Sequence, residues 1–345
     1  MSNTTSDLLT EIVLPGKVAP DGFLTRRRPV PTPGRGQVLV RMEATGVSFA
    51  EQQMRRGKYY DQPPFPFVPG YDVVGVVEAV GQDVDPAVRG TRVAALTKIG
   101  GWATHLILDA DDVVPVPAGV AAADAETVVV NGITAWRMLH RTAKVRSGQT
   151  ILVLGANGGV GSVLVQLARA AGVRVIGTAA PRHHDAVREL GATPLDYRAP
   201  GLPDRVRELA PSGVDAVFDH VGGPGIVDSY RLLAPGGTLV SYGTAATRDH
   251  EGSSRLPVLK LILRLLWWNA LPNGHRASFF NIWAGQRDKA RFRAELRHDL
   301  GQVFALLANG TLRAQVAARV PLTDVATAVR LAESGTVTGK VVLTP

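Results

Sequence analysis

Residues 150–178 read TILVLGANGGVGSVLVQLARAAGVRVIGT, an apolar strand followed by a glycine-rich turn and an apolar helix. The turn has the spacing Ala156-x-Gly158-x-x-Gly161, the dinucleotide-binding fingerprint with alanine in first place. Gly158 lets backbone approach a pyrophosphate, Gly161 lets the helix pack close to the sheet, and the helix N-terminus offers N–H groups and positive dipole. The stretch predicts a phosphate-binding turn in a doubly wound parallel sheet; an ordinary tight turn is the alternative.

The end of the next strand indicates which dinucleotide is bound. NAD-binding proteins usually place an acid about 20 residues after the turn, where it bonds the ribose hydroxyls. Here Thr178 is followed by Ala-Ala-Pro-Arg182-His183-His184, which contains no acid. Arg182 with a neighbouring histidine could receive the extra phosphate of NADPH. We therefore expect NADPH rather than NADH, unless Arg182 only solvates a helix start.

Composition excludes several classes of site. The chain has 345 residues, 45% hydrophobic and 20% charged, which suits about two globular domains. It has no cysteine, so disulfides, iron–sulfur clusters and thiol nucleophiles are excluded, and its eight histidines form no helical i, i+4 pair with an acid between them. The formal net charge is +8, but the basic residues are scattered without interleaved aromatics, so specific nucleic-acid binding is not expected.

Hydrophobic patterning divides the chain into three parts. Short strand-like runs with Gly and Pro turns predict a mostly β domain over residues 1–125. Alternating strands and helices predict a doubly wound domain over 126–284, and residues 285–345 are expected to return to the β domain. Helices in the middle part are predicted at 161–171, 184–190, 203–209 and 225–233. The amino terminus lacks a basic leader and an apolar signal core, so a cytoplasmic location is expected.

Motifs along nearly the whole chain resemble those of zinc-independent quinone oxidoreductases of the medium-chain dehydrogenase/reductase superfamily. They are GVSFAEQQMRRGKYY (46–60), PFPFVPGYDVVGVVEAVG (64–81), NGITAW (131–136), GANGGVG (155–161), LDYR (195–198), FDHVGG (218–223), LVSYGTAA (239–246) and TGKVVL (338–343). The resemblance implies an α/β protein with a GroES-like catalytic domain made from both ends of the chain, a central Rossmann domain, and a cleft between them for cofactor and substrate.

The resemblance also implies which residues contact the cofactor. By motif position they are Asn131, Thr134, Ala156, Gly158, Gly159, Val160, Gly161, Thr178, Arg182, Tyr197, Gly222, Gly243 and Lys340. Tyr197 and Lys340 would lie near the adenosine phosphates. Thr134 and Gly243 would lie nearer the nicotinamide.

The catalytic chemistry is expected to proceed without a metal. Zinc-dependent relatives have Cys near the position of Ser48 and a His-Glu pair where this chain has Tyr71-Asp72. Without a Lewis acid, reduction of a quinone, enone or enoyl-type acceptor is easier than alcohol oxidation, because charge collects on an enolate or phenolate oxygen. Tyr59 is the candidate hydrogen-bond donor for that oxygen, with a packing aromatic as the alternative. Ser48 and Tyr71 are weaker candidates.

The segment 256–272, LPVLKLILRLLWWNALP, is apolar except for Lys260 and Arg264, and it is marginal for a membrane span. A lid or dimer contact is favoured; attachment to a membrane surface and ordinary core are the alternatives. The leading interpretation is an NADPH-dependent reductase, expected to be a homodimer acting on a small conjugated carbonyl or quinone. The competing one is a non-catalytic NADPH-binding protein acting at a membrane surface or on RNA.

Overall fold

The computed structural model describes residues 8–247 and 255–345. The first seven residues of the amino-terminal stretch and His250 therefore lie outside the described residues. The chain divides into two compact units. The first contains the described residues through Val130 together with Gly285–Pro345, and the second contains Asn131–Ala284. The expected domain limit at 125/126 falls inside a helix, Ala122–Trp136, that continues across the division at 130/131.

The first unit is built on β-structure. A two-stranded antiparallel sheet pairs β1 (Leu8–Val13) with β2 (Leu24–Pro29). A seven-stranded sheet has the order β14-β15-β3-β4-β5-β7, with β6 paired to β3. Its strands are β3 (Gln37–Val47), β4 (Asp72–Val80), β5 (Arg92–Leu96), β6 (His105–Asp109), β7 (Val114–Pro115), β14 (Val316–Pro321) and β15 (Lys340–Thr344).

Period-two patterning explains the core of this unit. Val38, Val40 and Met42 project from one face of β3 and are fully buried. They share a hydrophobic cluster with Trp102 and with Val341 of β15, which runs antiparallel to β3. The closing strand of the chain therefore lies inside the sheet begun by the N-terminal third. Helices α1 (Phe49–Arg55), α8 (Lys289–Ala308) and α9 (Val325–Glu333) also belong to this unit, as does the start of the helix Ala122–Trp136.

The second unit is a parallel six-stranded sheet in the order β10-β9-β8-β11-β12-β13. The strands are β8 (Thr150–Val153), β9 (Arg174–Ala179), β10 (Thr193–Asp196), β11 (Val214–Asp219), β12 (Leu233–Ser241) and β13 (Arg276–Phe279). In chain order this is 3-2-1-4-5-6, the doubly wound order that binds dinucleotides at the carboxyl ends of the strands. The predicted fold class is confirmed.

Helices connect these parallel strands, as right-handed crossovers require. They are α3 (Gly159–Ala170), α4 (His184–Leu190), α5 (Leu202–Leu209), α6 (Ile226–Arg231) and α7 (Arg255–Asn269). Before β8, the helix α2 (Ala122–Trp136) ends in a π-helical turn, Arg137–Thr142. The segment 256–272 is therefore mostly helix α7, which precedes the edge strand β13.

Candidate functional site

The glycine-rich turn joins β8 to α3. Gly155 has φ +68°, a left-handed conformation that favours glycine, and its carbonyl accepts from Gly158 N at 3.0 Å. The first α-helical hydrogen bond of α3 runs from Ser162 N to Gly158 O at 2.8 Å. The N–H groups of the three residues before Ser162 are therefore at the open start of a twelve-residue helix, where an anion is favoured.

Two glycines of the turn have no room for a side chain, which keeps the turn close to the elements behind it. A Cβ on Gly161 would lie 2.2 Å from Gly155 O, a backbone atom that cannot move without distorting the turn. A Cβ on Gly159 would lie 2.7 Å from the amide nitrogen of Asn131. The turn is therefore packed tightly from behind while its N–H groups remain at the helix start. These residues fit the dinucleotide that the fingerprint predicts.

Thr178 and Asn131 contact the glycine-rich turn from two neighbouring elements. The hydroxyl of Thr178 is buried and accepts from Gly155 N at 3.1 Å, while Thr178 O accepts from Ala156 N at 2.9 Å. The side chain of Thr178 therefore holds the turn in shape from the β9 side, and its contact with the cofactor stays a prediction. Asn131 is buried in α2 and packs on Gly159, and Thr134 is buried one turn further along the same helix.

The loop after β11 forms a second glycine-rich element at the same end of the sheet. Asp219 is buried and accepts from Val221 N and Gly222 N, both at 2.8 Å, and from Ser229 Oγ at 2.8 Å. These bonds hold Gly222 at φ +65°. A Cβ on Gly222 would approach Gly243 O at 3.3 Å, so these two predicted residues are neighbours.

His220 was missed by the sequence reasoning. Its Nδ1 lies 3.0 Å from Leu154 O, and its ring packs over Gly155, where a Cβ would meet ring Cε1 at 2.5 Å. Burial lowers the pKa of His220, although Asp219 opposes that effect. A neutral imidazole therefore braces the phosphate-binding turn. The only sequence signal is the position of His220 directly after a buried strand that ends in Asp.

Arg182 and Tyr197 lie just beyond the carboxyl ends of the neighbouring strands β9 and β10. The register of β9 and β10 pairs Ala179 with Asp196. Arg182 lies three residues after Ala179, and Tyr197 lies one residue after Asp196. Both side chains are exposed. Asp196 is the nearest acid in this register, but its Oδ1 accepts from Arg198 N at 2.9 Å within its own turn. The adjacent strand ends therefore present a cation and a phenol to solvent.

Tyr59 and Tyr71 are brought together in the first unit. Their hydroxyl oxygens lie 2.7 Å apart and both side chains are buried. Burial raises the pKa of Tyr59, and the neighbouring tyrosines add to the effect. Tyr59 therefore keeps its proton at neutral pH. The two predicted tyrosines form a buried, hydrogen-bonded pair.

Ser48 has a different role from the one expected. It is the N-cap of α1: its hydroxyl accepts from Ala50 N at 3.2 Å and bonds the Glu51 carboxylate, while Ser48 N donates to Glu51 Oε2 at 2.9 Å. Glu51 Oε1 also accepts from Tyr71 N at 2.7 Å. Burial raises the pKa of Glu51. Ser48 is thus occupied in a capping box, which the Ser-x-x-Glu spacing at 48–51 could have revealed.

Lys340 also requires a correction. Its Nζ lies 2.7 Å from Asp72 Oδ2 and 2.5 Å from Glu126 Oε1, and all three side chains are buried. Burial alone would lower the pKa of Lys340, but the two carboxylates outweigh it and raise the pKa. This geometry argues against the expected contact with adenosine phosphates. The ammonium instead joins β15 to β4 and α2 within the first unit.

Within residues 8–247 and 255–345, no three His, Asp or Glu side chains are arranged to share a metal ion. No helix in this described part of the chain combines the length and apolar character needed to cross a bilayer.

Comparison with known proteins identifies the family of the chain. Residues 34–118 match the alcohol dehydrogenase GroES-like domain, and residues 190–343 match the zinc-binding dehydrogenase family. The synaptic vesicle membrane protein VAT-1 homolog of Rattus norvegicus is 32% identical over 97% of this chain and 83% of its own length. The chain belongs to the zinc-independent quinone oxidoreductase family of the medium-chain dehydrogenase/reductase superfamily. This is the family that the sequence motifs indicated.

Other members of this oxidoreductase family agree with the assignment. The human VAT-1 homolog is 35% identical over 76% of this chain, and the match spans only 66% of its own length. A mycobacterial protein solved in complex with NADPH has a TM-score of 0.82 and 29% identity, covering 98% of this chain and all of that one. A Pseudomonas syringae quinone oxidoreductase has a TM-score of 0.84 and 27% identity, with coverage of 98% and 100%.

Proposed function

We propose that this protein is an NADPH-dependent reductase of quinones, enones or enoyl-type conjugated acceptors, and that it works without zinc. The observation that carries the proposal is the glycine-rich turn Gly155–Gly161 at the start of α3, where Gly159 and Gly161 have no room for a side chain, next to a strand end that offers Arg182 and no acid. The similar mycobacterial structure, solved with NADPH, supports the choice of cofactor.

The turn and the strand ends would hold the phosphate groups of NADPH. The N–H groups at the start of α3 would bind the pyrophosphate, with Asn131 and His220 keeping the turn rigid. Arg182 would pair with the 2′-phosphate, and Tyr197 would lie beside it. Gly222 and Gly243, where a side chain would be crowded by backbone, would line the route toward the nicotinamide. When bound, NADPH supplies a hydride for the acceptor.

The tyrosine pair would serve the acceptor. Reduction of a conjugated carbonyl places negative charge on its oxygen, and a fixed donor aimed at that oxygen stabilises the charge as it develops. Tyr59 remains protonated because burial raises its pKa, and its bond to Tyr71 orients the hydroxyl. The proton that completes the reaction can come from water.

Side-chain chemistry at the matching positions supports the proposal of zinc independence. The chain has no cysteine, Ser48 is engaged in the cap of α1, and Tyr71 stands where zinc-dependent relatives have histidine. A homodimer is proposed because β13 is the edge strand of the six-stranded sheet and could pair with a second copy. A cytoplasmic location stays a prediction.

A second candidate function is a non-catalytic role at a membrane. The rat and human relatives are named synaptic vesicle membrane proteins, and α7 exposes large apolar side chains. The role on RNA that the sequence left open has no comparable support.

The experiment is steady-state oxidation of NADPH and NADH by the purified protein with a panel of quinones and enones, followed at the absorbance of reduced nicotinamide. We expect turnover with NADPH that survives exhaustive chelation. Arg182→Ala should weaken NADPH about ten- to a hundredfold and leave NADH nearly unchanged, because a charge-assisted contact contributes about 1.5–3 kcal/mol. Arg188→Ala, an exposed arginine paired with Asp185 in α4, is the matched control.

Three results would each contradict a part of the proposal. No turnover with any acceptor, although NADPH binds, would favour the non-catalytic alternative. Loss of activity on chelation, restored by zinc, would refute the zinc-independent mechanism. Equal loss of NADPH and NADH in Arg182→Ala would show that the 2′-phosphate is held elsewhere.

A further inference from the structure

Helix α7 has two apolar faces on opposite sides. Val258, Leu261, Leu265 and Trp268 recur at i, i+3, i+7 and i+10 and are buried in the core of the second unit. The other face carries five side chains that are each more than half exposed: Leu256, Leu259, Leu263, Leu266 and Trp267. The first face accounts for the folding of the helix. The second face contributes nothing to that core.

The helix is held firmly to its domain with the second face outward. Trp268 stacks on Tyr230 with ring centroids 4.2 Å apart and an interplanar angle of 9°. Asn269 then pairs with the backbone of Ala277 in β13, donating to its carbonyl at 2.7 Å and accepting from its N–H at 2.8 Å. These contacts oppose a rotation that would bury the exposed leucines.

Basic residues border the exposed apolar face. Lys260 and Arg264 are exposed, lie four residues apart, and follow Leu259 and Leu263 by one residue each. The sequence from Gly252 to Gln286 contains no Asp or Glu, although it contains four Lys or Arg. The segment that carries this apolar face therefore contributes cations and no acids to its surface. A complementary partner has to be apolar and anionic.

We propose that this face of α7 docks on the surface of an anionic lipid bilayer. An interfacial helix lies parallel to the membrane with its apolar side chains about 5–10 Å into the headgroup boundary and its cations at the lipid phosphates. Trp267 suits that boundary because indole combines an apolar body with one polar N–H. The helix does not need to span the bilayer.

A second copy of the chain fits this face less well. In a two-fold interface through α7 the same patch meets itself, so Lys260 and Arg264 of each copy would approach their equivalents. The absence of acids from 252–286 leaves those cations without an opposite charge from the same patch. Charge complementarity therefore favours an anionic lipid surface.

The test is co-sedimentation of the full chain with vesicles of phosphatidylcholine alone or mixed with phosphatidylglycerol. We expect binding that rises with the anionic fraction and falls with salt. Lys260→Gln with Arg264→Gln should weaken binding to mixed vesicles about thirtyfold, because each cation near such a surface contributes roughly a factor of five. Leu263→Glu with Trp267→Ser should abolish it. Leu24→Gln, an equally exposed leucine on β2, is the matched control and should bind like the wild type.

Far-ultraviolet circular dichroism and thermal unfolding of each variant exclude misfolding as the cause of lost binding. The proposal is overturned if the wild type does not bind mixed vesicles, or if Leu263→Glu with Trp267→Ser still binds them. It is also overturned if light scattering shows that this double variant dissociates an oligomer while vesicle binding is absent throughout, since α7 would then be a contact between copies.

Discussion

Replacement of Lys340 tests the buried ion cluster of the first unit. Lys340→Met retains most of the side-chain volume but removes the charge that faces Asp72 and Glu126. Asp72 would keep its bond from Val130 N at 2.9 Å, yet both carboxylates would remain buried without an opposing charge. Removing one partner of a buried ion pair costs about 3–5 kcal/mol. This is a large share of the 5–15 kcal/mol that typically stabilises a native protein.

The assay is thermal and urea unfolding followed by circular dichroism. A loss of about 3–5 kcal/mol corresponds to a fall in Tm of about 6–20 °C for a unit of this size. Lys98→Met is the matched control, because Lys98 pairs with Asp61 at the surface, where such pairs contribute less than about 1 kcal/mol. The penalty for Lys340→Met should shrink toward pH 4.5, because protonation removes the uncompensated charge.

Two outcomes would refute this reasoning. One is a change below about 1 kcal/mol in Lys340→Met, since surface pairs already give that much. The other is a penalty independent of pH, which would indicate lost packing around the lysine stem rather than lost charge. That stem lies against Gly46, where a Cβ would meet Lys340 Cε at 2.3 Å.

Three further predictions concern the site and its surroundings. Tyr59→Phe should lower kcat more than it weakens NADPH, because a donor to developing charge acts in the transition state; unchanged kcat in steady-state assays would make Tyr59 a packing residue. Gly161→Val should reduce NADPH affinity more than tenfold in a fluorescence titration, because its Cβ would lie 2.2 Å from Gly155 O. Gly301 has open space around it, so the Gly301→Ala control should bind NADPH normally. Burial raises the pKa of Glu126 above its usual value of 4.5, so at pH values between the two the folded protein holds more protons than the unfolded chain. The stability of the wild type should therefore fall as the pH rises from 4.5 through the pKa of the folded state. Glu126→Gln should lessen this fall in urea titrations at several pH values, and parallel curves for the two proteins would contradict the assignment.

Local patterns in the sequence predicted much of the fold. Helix α4 has the predicted limits 184–190, and the Gly-rich turn lies between a buried strand and a helix, as its spacing required. Helix α3 begins at Gly159 rather than Gly161, because Gly158 serves as its extended N-cap and two glycines form its first turn. The sequence reasoning did not include α2 or its π-helical end. Its apolar run has no turn signal that separates it from a buried strand.

The site could be predicted only where its residues are consecutive. Turn residues 156–161 are adjacent along the chain, and their role depends on backbone freedom that glycine supplies wherever it occurs. The partners of Lys340 could not be read in this way, because Asp72 and Glu126 are separated from it by 268 and 214 positions. The motif TGKVVL (338–343) shows a lysine at a strand start, but not what that lysine faces.

Sequence alone determined the alternation of strands and helices, the phosphate-binding turn, the missing thiol ligands and the family. These properties depend on periodic burial and local backbone conformation, which neighbouring residues specify. Tertiary structure alone decided that Lys340 pairs with the buried carboxyl groups of Asp72 and Glu126, that Tyr59 bonds Tyr71, and that one apolar face of α7 is left exposed. Each of these depends on which distant segments the folded chain brings together, and burial then makes the pairing of charge or polarity energetically decisive.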